Sequence, residues 1–475
     1  MNKVLLLSVG NSFFKGALWG GYDLELPLNA AYVAAFLESR GLGVHVVDLQ
    51  TLADPKAHLA ALDLSPYGAA VINCTLANTF DAYAVALGVK ARRPELPVAA
   101  MGVFTVLRET LLTQCPALDY VVVGEEEHTV HELCAALLAK ADVGDILGLL
   151  LRTDSGVNGG VQANAPRPFE EDLDSLPFPA RHKFPLDRYY PSPGKYARLP
   201  QFSMLSSRGC KWGCFFCSNL RGKQMRLRSP ENMVAEIDEL QERYGAREIA
   251  FVDDTFTADR DRALRFCELM ARRQKPPMAF RIAARVDTVD FELLSRLKDV
   301  GLYSVGYGLE SGSDRVLAFN KKGFTTARAR EAVAMTRMLG LDIRGYFMVN
   351  LPGDTRESTE ETVAYIRELE LDLVNVQIAY PWPGTAMREF VRQNYEVVED
   401  IWERWDLCDG DDISFLQPGL PRDYIQDTYK RIIREQYMNP LFVLKWLGHL
   451  KSWHDFKYSF LQAASLFKRT VLRLS

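Results

Sequence analysis

The sequence predicts an α/β protein built from two successive blocks in which strands alternate with helices. In the first block, short apolar runs at residues 3–9 and 69–73 alternate with amphipathic stretches such as 28–40. A second block of the same kind begins at Gln201 and continues to about Phe390. Strands that are apolar throughout, separated by helices, are typical of a parallel sheet covered on both faces. The first block therefore predicts a doubly wound domain whose ligand lies at the carboxyl ends of the strands.

The individual elements follow from the same hydrophobic periodicity. In the first block we expect strands at 3–9, 44–48, 69–73, 98–101 and 120–123, and helices at 28–40, 80–92 and 127–138. In the second we expect strands at 202–205, 248–252, 279–283, 304–307, 345–349 and 374–378, and helices at 230–244, 260–273, 291–300, 326–339 and 356–369.

A chain of 475 residues is long enough for two or three domains. Between residues 144 and 200 the pattern breaks into turn-rich sequence with many prolines and acids, which predicts a linker without regular structure. We therefore expect a doubly wound domain at 1–143, a linker at 144–200, the second block at 201–400 and a helical carboxyl-terminal extension at 401–475.

The overall charge excludes few function classes. With 56 basic and 61 acidic residues the net charge is −5, so the composition gives no electrostatic argument for nucleic-acid binding. No apolar run approaches the length that spans a bilayer, and the first residues are too short for a signal peptide. We expect a cytoplasmic protein.

The last 35 residues differ from the rest in charge. Residues 441–475 contain six Lys or Arg and one acid, Asp455, with aromatic residues such as Trp446, Trp453, Phe456 and Phe460 between them. A basic, aromatic-rich helical segment can lie on an anionic membrane surface, or it can pack its apolar side on the neighbouring domain. Both interpretations stay open at this point.

Three cysteines form the most informative motif. Cys210, Cys214 and Cys217 have the spacing C-x3-C-x2-C, with Phe215 and Phe216 between the last two. A cubane iron–sulfur cluster usually takes four cysteine thiolates, so three clustered cysteines leave one iron open to a substrate or cofactor. A zinc site would need a second cysteine pair or a nearby histidine, and a disulfide framework suits short secreted chains.

This motif resembles the cluster loop of the radical S-adenosylmethionine (radical SAM) superfamily. In that superfamily three cysteines hold a 4Fe-4S cluster whose open iron binds S-adenosyl-L-methionine, and the fold is a partial (β/α)6 barrel. The resemblance implies the metal ligands Cys210, Cys214 and Cys217. It also implies an external reductant such as flavodoxin or ferredoxin.

Segments at the expected strand ends resemble the same superfamily. They are 251–256, 284–287, 308–313, 351–355 and 380–385. The resemblance implies S-adenosylmethionine contacts from Glu310, Asp254 and Arg285, with Glu310 the firmest. Other candidate partners are Asp253, Lys322, Arg344 and Tyr346.

The first domain is similar to the Rossmann-like cobalamin-binding domain found in one branch of this superfamily. The similar segments are 27–37, the region of Gly102, and 119–129. The resemblance implies cobalamin contacts at Thr75, Gly102, Gly124 and Glu125. The alternative is a retained but empty domain that only supports the barrel.

The chain departs from the pattern of that branch in two ways. No histidine stands in an Asp-x-His-x-x-Gly arrangement, so a lower axial histidine of that kind is absent from the sequence. Phe104 stands where relatives often have histidine. His128 and His131 have a spacing that could share a metal, but two partly exposed helical histidines are the alternative.

The leading functional hypothesis is a cobalamin-dependent radical SAM methyltransferase acting on an unactivated carbon in lipid, tetrapyrrole or natural-product biosynthesis. An oxidative cyclase or another radical rearrangement with the same cofactors is the alternative. RNA modification and a non-catalytic cluster-binding protein are the other classes. We expect a small-molecule or lipid-like substrate, no nucleic acid, and membrane contact, if any, through 441–475.

Overall fold

The computed structural model describes residues 3–9, 24–74, 78–102, 108–153, 160–219, 221–398 and 412–448, together with scattered positions between 450 and 460. These residues divide into two compact units. One contains the described residues up to Tyr190 and the other begins at Pro191.

The first unit is built on a seven-stranded sheet in the order β2-β1-β3-β4-β5-β6-β7. Its strands are β1 (Lys3–Ser8), β2 (Gly43–Asp48), β3 (Tyr67–Asn73), β4 (Val98–Met101), β5 (Tyr120–Val122), β6 (Leu149–Thr153) and β7 (Gly160–Ala163). Its helices are α1 (Leu28–Ser39), α2 (Pro55–Ala61), α3 (Thr79–Arg92), α4 (Arg108–Gln114) and α5 (Glu126–Ala139).

The first five strands are parallel, and the sheet order reverses at β1, which lies between β2 and β3. Because β1 and β3 are buried on both faces, they consist almost entirely of apolar residues. This confirms the predicted doubly wound fold. A switch point of this kind leaves a crevice at the carboxyl ends of the two strands, which is the usual ligand position of such sheets.

The expectation of an irregular linker at 144–200 is wrong for part of that segment. β6 pairs antiparallel with β5, and β7 pairs antiparallel with β6. Leu149 and Leu150 are buried, so the leucines at 149–151 belong to a strand inside the sheet, between β5 and the edge strand β7, rather than to a connector. The structure also includes the rest of this segment, up to Tyr190, in the first unit.

The second unit contains a six-stranded parallel sheet in the order β15-β14-β13-β12-β11-β8. Its strands are β8 (Gln201–Met204), β11 (Glu248–Phe251), β12 (Ala279–Ala284), β13 (Leu302–Glu310), β14 (Asp342–Val349) and β15 (Leu373–Ile378). Two short pairs complete the strands: β9 (Ser207–Arg208) with β10 (Arg226–Leu227), and β16 (Glu396–Val397) with β17 (Phe415–Leu416).

Helices connect these strands as the periodicity predicts. They are α6 (Pro230–Tyr244), α7 (Arg260–Arg272), α8 (Phe291–Asp299), α9 (Asp314–Phe319), α10 (Thr326–Met338), α11 (Arg356–Leu369) and α12 (Ala386–Asn394), followed by α13 (Arg422–Tyr437) and α14 (Pro440–Leu447). Most begin at a side-chain cap, as at Ser229 and Asp290, which accept hydrogen bonds from backbone N–H groups of the first turn. The six βα units form the expected partial barrel.

A buried carboxylate ties the start of the barrel to the segment before it. Glu248, the first residue of β11, has no exposed surface. One of its oxygens accepts hydrogen bonds from the backbone N–H groups of Ala197 and Arg198, both at 2.7 Å. The other accepts from Gln201 Nε2 and, at 2.7 Å, from the Tyr303 hydroxyl. Four donors thus compensate the desolvation of this carboxylate at the amino-terminal end of the strands.

The described carboxyl-terminal residues pack on the same segment. The Trp446 ring lies over Gly194, where a Cβ atom would come within 2.6 Å of it. The buried Asp455 carboxylate accepts a hydrogen bond from the Tyr196 hydroxyl. Among the helices whose residues are described, none has the length and apolarity needed to cross a membrane.

We predict that Glu248→Ala lowers the free energy of unfolding by about 3 kcal/mol, because it leaves several buried donors without an acceptor. Hydrogen exchange of the Ala197 and Arg198 amides in the full chain should accelerate about 100-fold. The control is Glu292→Ala, at an exposed surface ion pair with Arg260, which should cost less than 1 kcal/mol. Unchanged protection of the two amides in Glu248→Ala would contradict this role.

Candidate functional site

The cysteine loop follows β8 and β9 at the carboxyl end of the barrel strands. Cys210 and Cys214 are half-buried, and Cys217 is exposed. The Cys217 N–H donates to the Cys214 carbonyl at 3.1 Å, so the last two cysteines belong to one tight turn. Desolvation by the surrounding protein raises the pKa of Cys210 and of Cys217, although Cys217 keeps contact with solvent, and the neighbouring thiols and Asp254 raise it further. The three side chains are therefore close enough to act on one another electrostatically.

The loop is fixed by its aromatic residue Phe215 rather than by regular structure. The Phe215 N–H donates to the Asn320 carbonyl at 2.9 Å, and its carbonyl accepts from the Met387 N–H at 3.1 Å. Its ring makes edge contacts with Phe319 and Phe390. This explains why an aromatic residue stands between the cysteines: it anchors the loop to α9 and α12.

A second support is the turn that follows the loop. The Cys210 N–H donates to the Gly222 carbonyl at 3.1 Å, and Asn219 Nδ2 donates to the Cys210 carbonyl at 2.9 Å. Gly209 has φ +87°, and a Cβ atom there would lie 2.2 Å from the Gln224 carbonyl oxygen. The chain can pass between β9 and this turn only because position 209 is glycine.

Arg285 joins the loop to the end of β12. Its guanidinium donates to both carboxylate oxygens of Asp287, at 2.9 and 2.8 Å, and to the Lys322 carbonyl at 2.7 Å. Its Nη1 lies 3.9 Å from Cys214 Sγ, and it stacks on the Trp212 ring with the Cζ atom 4.5 Å from the centroid. A buried cation is thus held directly against one of the three sulfur atoms.

Glu310 and Lys322 form a buried ion pair beside the loop. The distance from Lys322 Nζ to Glu310 Oε1 is 2.7 Å, and the two side chains are 8% and 10% exposed. The Lys322 ammonium also lies over the Phe216 ring, at 5.7 Å. Glu310 has φ +64°, an uncommon conformation for a residue with a side chain, and such strain clusters at functional sites. Gly308 makes room for the pair, since a Cβ there would be 2.6 Å from Glu310 Oε1.

The two acids after β11 have different environments. Asp253 is buried, and one of its oxygens accepts from the Ser206 N–H at 3.0 Å, from the Ser206 hydroxyl at 2.9 Å and from the Ser207 hydroxyl. Burial raises the pKa of Asp253. Asp254 is exposed and acts on the thiols of Cys210 and Cys217. Asp253 therefore braces the start of the cysteine loop, and Asp254 is the acid that remains available to a ligand.

Two other candidates lie elsewhere on β14. Arg344 is buried, donates to Ser304 Oγ at 3.2 Å and to the Gly194 carbonyl, and belongs to the amino-terminal end of the barrel. Its guanidinium is thus engaged in the fold, away from the cysteine loop. Tyr346 is 39% exposed, and its ring lies 3.0 Å from the position of a Cβ on Gly306. Glycine at 306 therefore lets the Tyr346 ring lie across the neighbouring strand.

The donor set of the loop fits an iron–sulfur cluster. Within the described part of the chain, no group of three His, Cys, Asp or Glu side chains converges closely enough to hold a single metal ion. A cubane cluster distributes its cysteines over separate irons, so it needs three thiols on one loop rather than convergence on a point. The adjacent guanidinium of Arg285 also offsets negative charge on the thiolates.

At the carboxyl ends of β3 and β4, the described residues Asn73, Asn78 and Gly102 are uncharged and lie close to neighbouring backbone. Gly102 has φ +132°, and a Cβ there would lie 1.7 Å from the Cys74 carbonyl oxygen, so only glycine fits beside the end of β3. Asn73 Oδ1 accepts from Asn29 Nδ2 at 2.7 Å, and Asn78 Nδ2 donates to the Val9 carbonyl at 3.0 Å. Thr75, like Phe104, lies outside the described residues.

The residues around the start of α5 have mixed environments. Gly124 has φ +93° and open space where a side chain would be. Glu125 Oε2 accepts from the Glu170 N–H at 2.9 Å, so that carboxylate contacts the segment expected to be a linker. His128 lies 3.0 Å from the Glu170 carboxylate, and the rings of His128 and His131 both contact Phe36. The two histidines thus belong to α5 and pack on α1.

Several residues of this site were not identified from the sequence. Trp212 stacks on Arg285. The Asn320 carbonyl accepts a hydrogen bond from the Phe215 N–H. Just after β14, Asn350 Oδ1 accepts a hydrogen bond from Gln417 Nε2 at 2.9 Å. The aromatic residue between the first two cysteines was a visible signal for Trp212. No local pattern marks Asn320 or Gln417, because their partners are 105 and 67 positions away.

Comparison with known proteins agrees with this geometry. Residues 204–366 match the Radical SAM superfamily. An uncharacterized methyltransferase of Pyrococcus horikoshii is 31% identical over 390 residues, which cover 81% of this chain and 82% of that protein. The anaerobic magnesium-protoporphyrin IX monomethyl ester cyclase of Cereibacter sphaeroides is 27% identical and is matched over 72% of this chain but 55% of its own length.

The fold has a solved counterpart over nearly its whole length. The radical S-adenosylmethionine methyltransferase TsrM of Kitasatospora setae superimposes with a TM-score of 0.71 over 93% of this chain and 90% of that chain, at 17% identity. The cysteine loop, the partial barrel, the match to the superfamily and the relative aligned over four fifths of both chains lead to one conclusion: the chain belongs to the radical SAM superfamily.

Proposed function

We propose that the chain is a cobalamin-dependent methyltransferase that acts on an unactivated carbon. Membership of the superfamily implies a 4Fe-4S cluster and S-adenosylmethionine as cofactors. The observation that carries the proposal is the relative named as a methyltransferase, which this chain matches over four fifths of both lengths and thus over both units.

In this proposal Cys210, Cys214 and Cys217 hold the cluster. When bound, the cluster and S-adenosylmethionine supply radical chemistry that removes a hydrogen atom from the substrate, and cobalamin supplies the methyl group. Arg285 keeps a positive charge at Cys214 and fixes the loop to β12. The cysteine loop and Arg285 lie at the carboxyl ends of the barrel strands, which is where ligands bind in such sheets and which supports this assignment.

Glu310, Lys322 and Asp254 are the groups that we assign to S-adenosylmethionine. The buried pair of Glu310 and Lys322 offers both a carboxylate, which can accept from ribose hydroxyls, and an ammonium, which can donate to a carboxylate. Asp254 adds an exposed acceptor near Cys210 and Cys217. Mutual neutralisation holds the buried pair ready without leaving an uncompensated charge in the protein.

Cobalamin is assigned to the carboxyl edge of the first sheet. Gly124 has open space where a side chain would be, so a flat macrocycle could approach its backbone closely, and the positive φ of Gly102 lets the chain turn tightly against the end of β3. The edge lies at the topological switch point of a doubly wound sheet. Roles for Thr75 and Glu125 belong to the same assignment. None of the strands β1 to β5 has a histidine as its last residue at this edge.

Oxidative cyclisation is the second candidate, favoured by the relative named as a cyclase. It ranks below methyl transfer because this chain spans only 55% of that relative's length. RNA modification would call for a basic, strand-rich domain at the carboxyl end, whereas the described residues after Leu416 form the helices α13 and α14.

We also propose peripheral membrane contact through the carboxyl-terminal segment, which would suit a lipid-like substrate. Large apolar side chains are exposed there, including Leu444 at 65%, Trp453 at 78% and Phe460 at 65%. The one acid of residues 441–475, Asp455, is buried against Tyr196, whereas Lys457, the base of this segment whose side chain is described, is exposed. Exposed aromatic and basic side chains together favour an anionic bilayer surface.

The first prediction concerns the cofactors. After anaerobic reconstitution with iron, sulfide and hydroxocobalamin, the chain should retain about one cobalamin and, with S-adenosylmethionine and dithionite, release 5′-deoxyadenosine. Alanine at Cys210, Cys214 or Cys217 should reduce that release at least 100-fold and lower bound iron. The matched control is Cys267→Ala, a buried cysteine of α7. Release of 5′-deoxyadenosine without bound cobalamin would overturn the methyl-transfer proposal.

A further prediction concerns Glu310. Glu310→Gln keeps the shape of the side chain but replaces the charged carboxylate, which accepts strong hydrogen bonds from ribose hydroxyls, with a neutral amide. S-adenosylmethionine should therefore bind about 10-fold more weakly. Anaerobic equilibrium dialysis of the reconstituted protein measures this, with iron content unchanged. Glu292→Gln, on the exposed face of α8, should bind normally. Equal affinity of Glu310→Gln and the unsubstituted chain would exclude this role.

The membrane proposal predicts that replacing Leu444, Trp453 and Phe460 together by serine reduces partition onto phosphatidylglycerol vesicles at least 10-fold. These side chains are exposed, so their loss should leave the fold unchanged. Met338→Ser, at a residue 77% exposed on α10, is the control for a general loss of apolar surface. Sedimentation with vesicles gives the answer, and unchanged partition of the triple variant would refute the proposal.

A further inference from the structure

The strongest charge asymmetry of the barrel surrounds the cysteine loop. Residues 206–229 contain six Lys or Arg and no Asp or Glu, in a chain with a net charge of −5. Three of the six, Arg208, Arg226 and Arg228, are buried in the fold. The other three remain at the surface: Lys211 and Lys223 are exposed, and Arg221 is half-buried.

These surface cations lie immediately beside the thiols. Lys211 follows Cys210 directly, and its ammonium is 5.1 Å from the Trp212 ring. Arg221 and Lys223 belong to the turn whose Gly222 carbonyl accepts from the Cys210 N–H. The exposed acids nearby are Asp254 and Asp287, and Asp287 is paired with the buried Arg285, so the three surface cations exceed the one remaining acid by two charges. The surface over the loop is therefore positive.

The same surface offers a contact route to the sulfur atoms. Trp212 is half-buried, with the Lys211 ammonium 5.1 Å and the Arg285 guanidinium 4.5 Å from its ring. Arg285 Nη1 is in turn 3.9 Å from Cys214 Sγ. Cys217 is itself exposed. A partner docked on this surface would come within a few side chains of a bound cluster.

We propose that Lys211, Trp212, Cys217, Arg221 and Lys223 form a docking patch for an acidic one-electron donor protein. The inference rests on the proposed function, since a cluster of this kind must receive an electron from outside before each reductive step. One electron passes from the donor flavin, which is oxidised by one electron, to the cluster, which is reduced by one. No proton is transferred and no bond is formed or broken in this step.

The features of the patch favour such a donor over nucleic acid. Transient redox complexes bury small interfaces and depend on charge complementarity for their rate of association. Three surface cations around one aromatic residue suit an interface of this small size. An RNA-binding surface would need a more extended basic stripe. The cationic surroundings also stabilise the additional negative charge that the cluster gains on reduction.

The test uses the reconstituted full chain and an acidic flavodoxin as the probe. Binding of oxidised flavodoxin is measured by calorimetry at about 50 and 200 mM salt. The double variant Lys211→Glu, Lys223→Glu should bind at least 10-fold more weakly at low salt and lose most of the salt dependence. Arg272→Glu is the matched control, at the exposed carboxyl end of α7, where the strands of the barrel begin. It should bind within about twofold of the unsubstituted chain.

A second readout separates docking from chemistry. Reduction of the cluster by flavodoxin hydroquinone, followed by its absorbance, should slow in parallel with binding, while reduction by dithionite stays unchanged. If Lys211→Glu lowers iron content, Lys223→Glu alone carries the test, with about a threefold loss of affinity. Failure of dithionite to drive S-adenosylmethionine cleavage would overturn the proposed function, not the patch. Equal binding by the double variant, equal weakening by Arg272→Glu, or tighter binding of a short RNA at the same residues would overturn the patch.

Discussion

The guanidinium of Arg285 is the contact on which the candidate site depends. It is bound to Asp287 by two hydrogen bonds, reaches the Lys322 carbonyl, stacks on Trp212 and lies against Cys214 Sγ. Through these contacts it joins the cysteine loop, the end of β12 and the segment after α9, three parts of the chain that are far apart in sequence. A planar guanidinium with five donors can make all of these contacts at once, and a lysine could not.

The electrostatics of the loop follow from the same arrangement. Burial raises the pKa of Cys210 and Cys217, which disfavours the thiolate form in the protein alone. A bound metal cluster reverses this balance because it supplies positive charge directly to the sulfur atoms. Arg285, Lys322 and the surface cations Lys211 and Lys223 add to that compensation from the protein side. The loop is thus built from residues that are more favourably placed with a cluster than without one.

The strands and helices that were predicted correctly are those whose formation depends on local sequence. Parallel strands buried on both faces gave continuous apolar runs, and helices began at Ser, Thr or Asp caps, so β4, α6 and α11 were expected at their observed bounds. The short helices α2, α4 and α9 and the antiparallel strands β6 and β7 were missed. Their stability comes from tertiary pairing rather than from periodicity, as when β6 adds to the sheet beside β5.

The residues of the site also divide into those that a short local motif reveals and those whose role depends on the fold. The cysteine spacing and Glu310 could be recognised because they lie in short ordered motifs, and Asp254 could be named as a neighbour. The resemblance favoured Asp254 over Asp253, but the reason appears only in the fold, which turns Asp253 towards Ser206 and Ser207 and leaves Asp254 exposed. Likewise, Arg344 resembles Arg285 as a strand arginine, yet its position near the start of β14 ties it to Gly194.

The central claim is that three thiols leave one iron of a cluster open to S-adenosylmethionine. Mössbauer spectroscopy of the full chain reconstituted with ⁵⁷Fe, with and without S-adenosylmethionine, tests it most directly. The account predicts a four-iron cluster in which the signal of one iron, and not of the other three, shifts when S-adenosylmethionine is added. A four-iron spectrum that does not respond to S-adenosylmethionine, or a mononuclear iron signal, would contradict it.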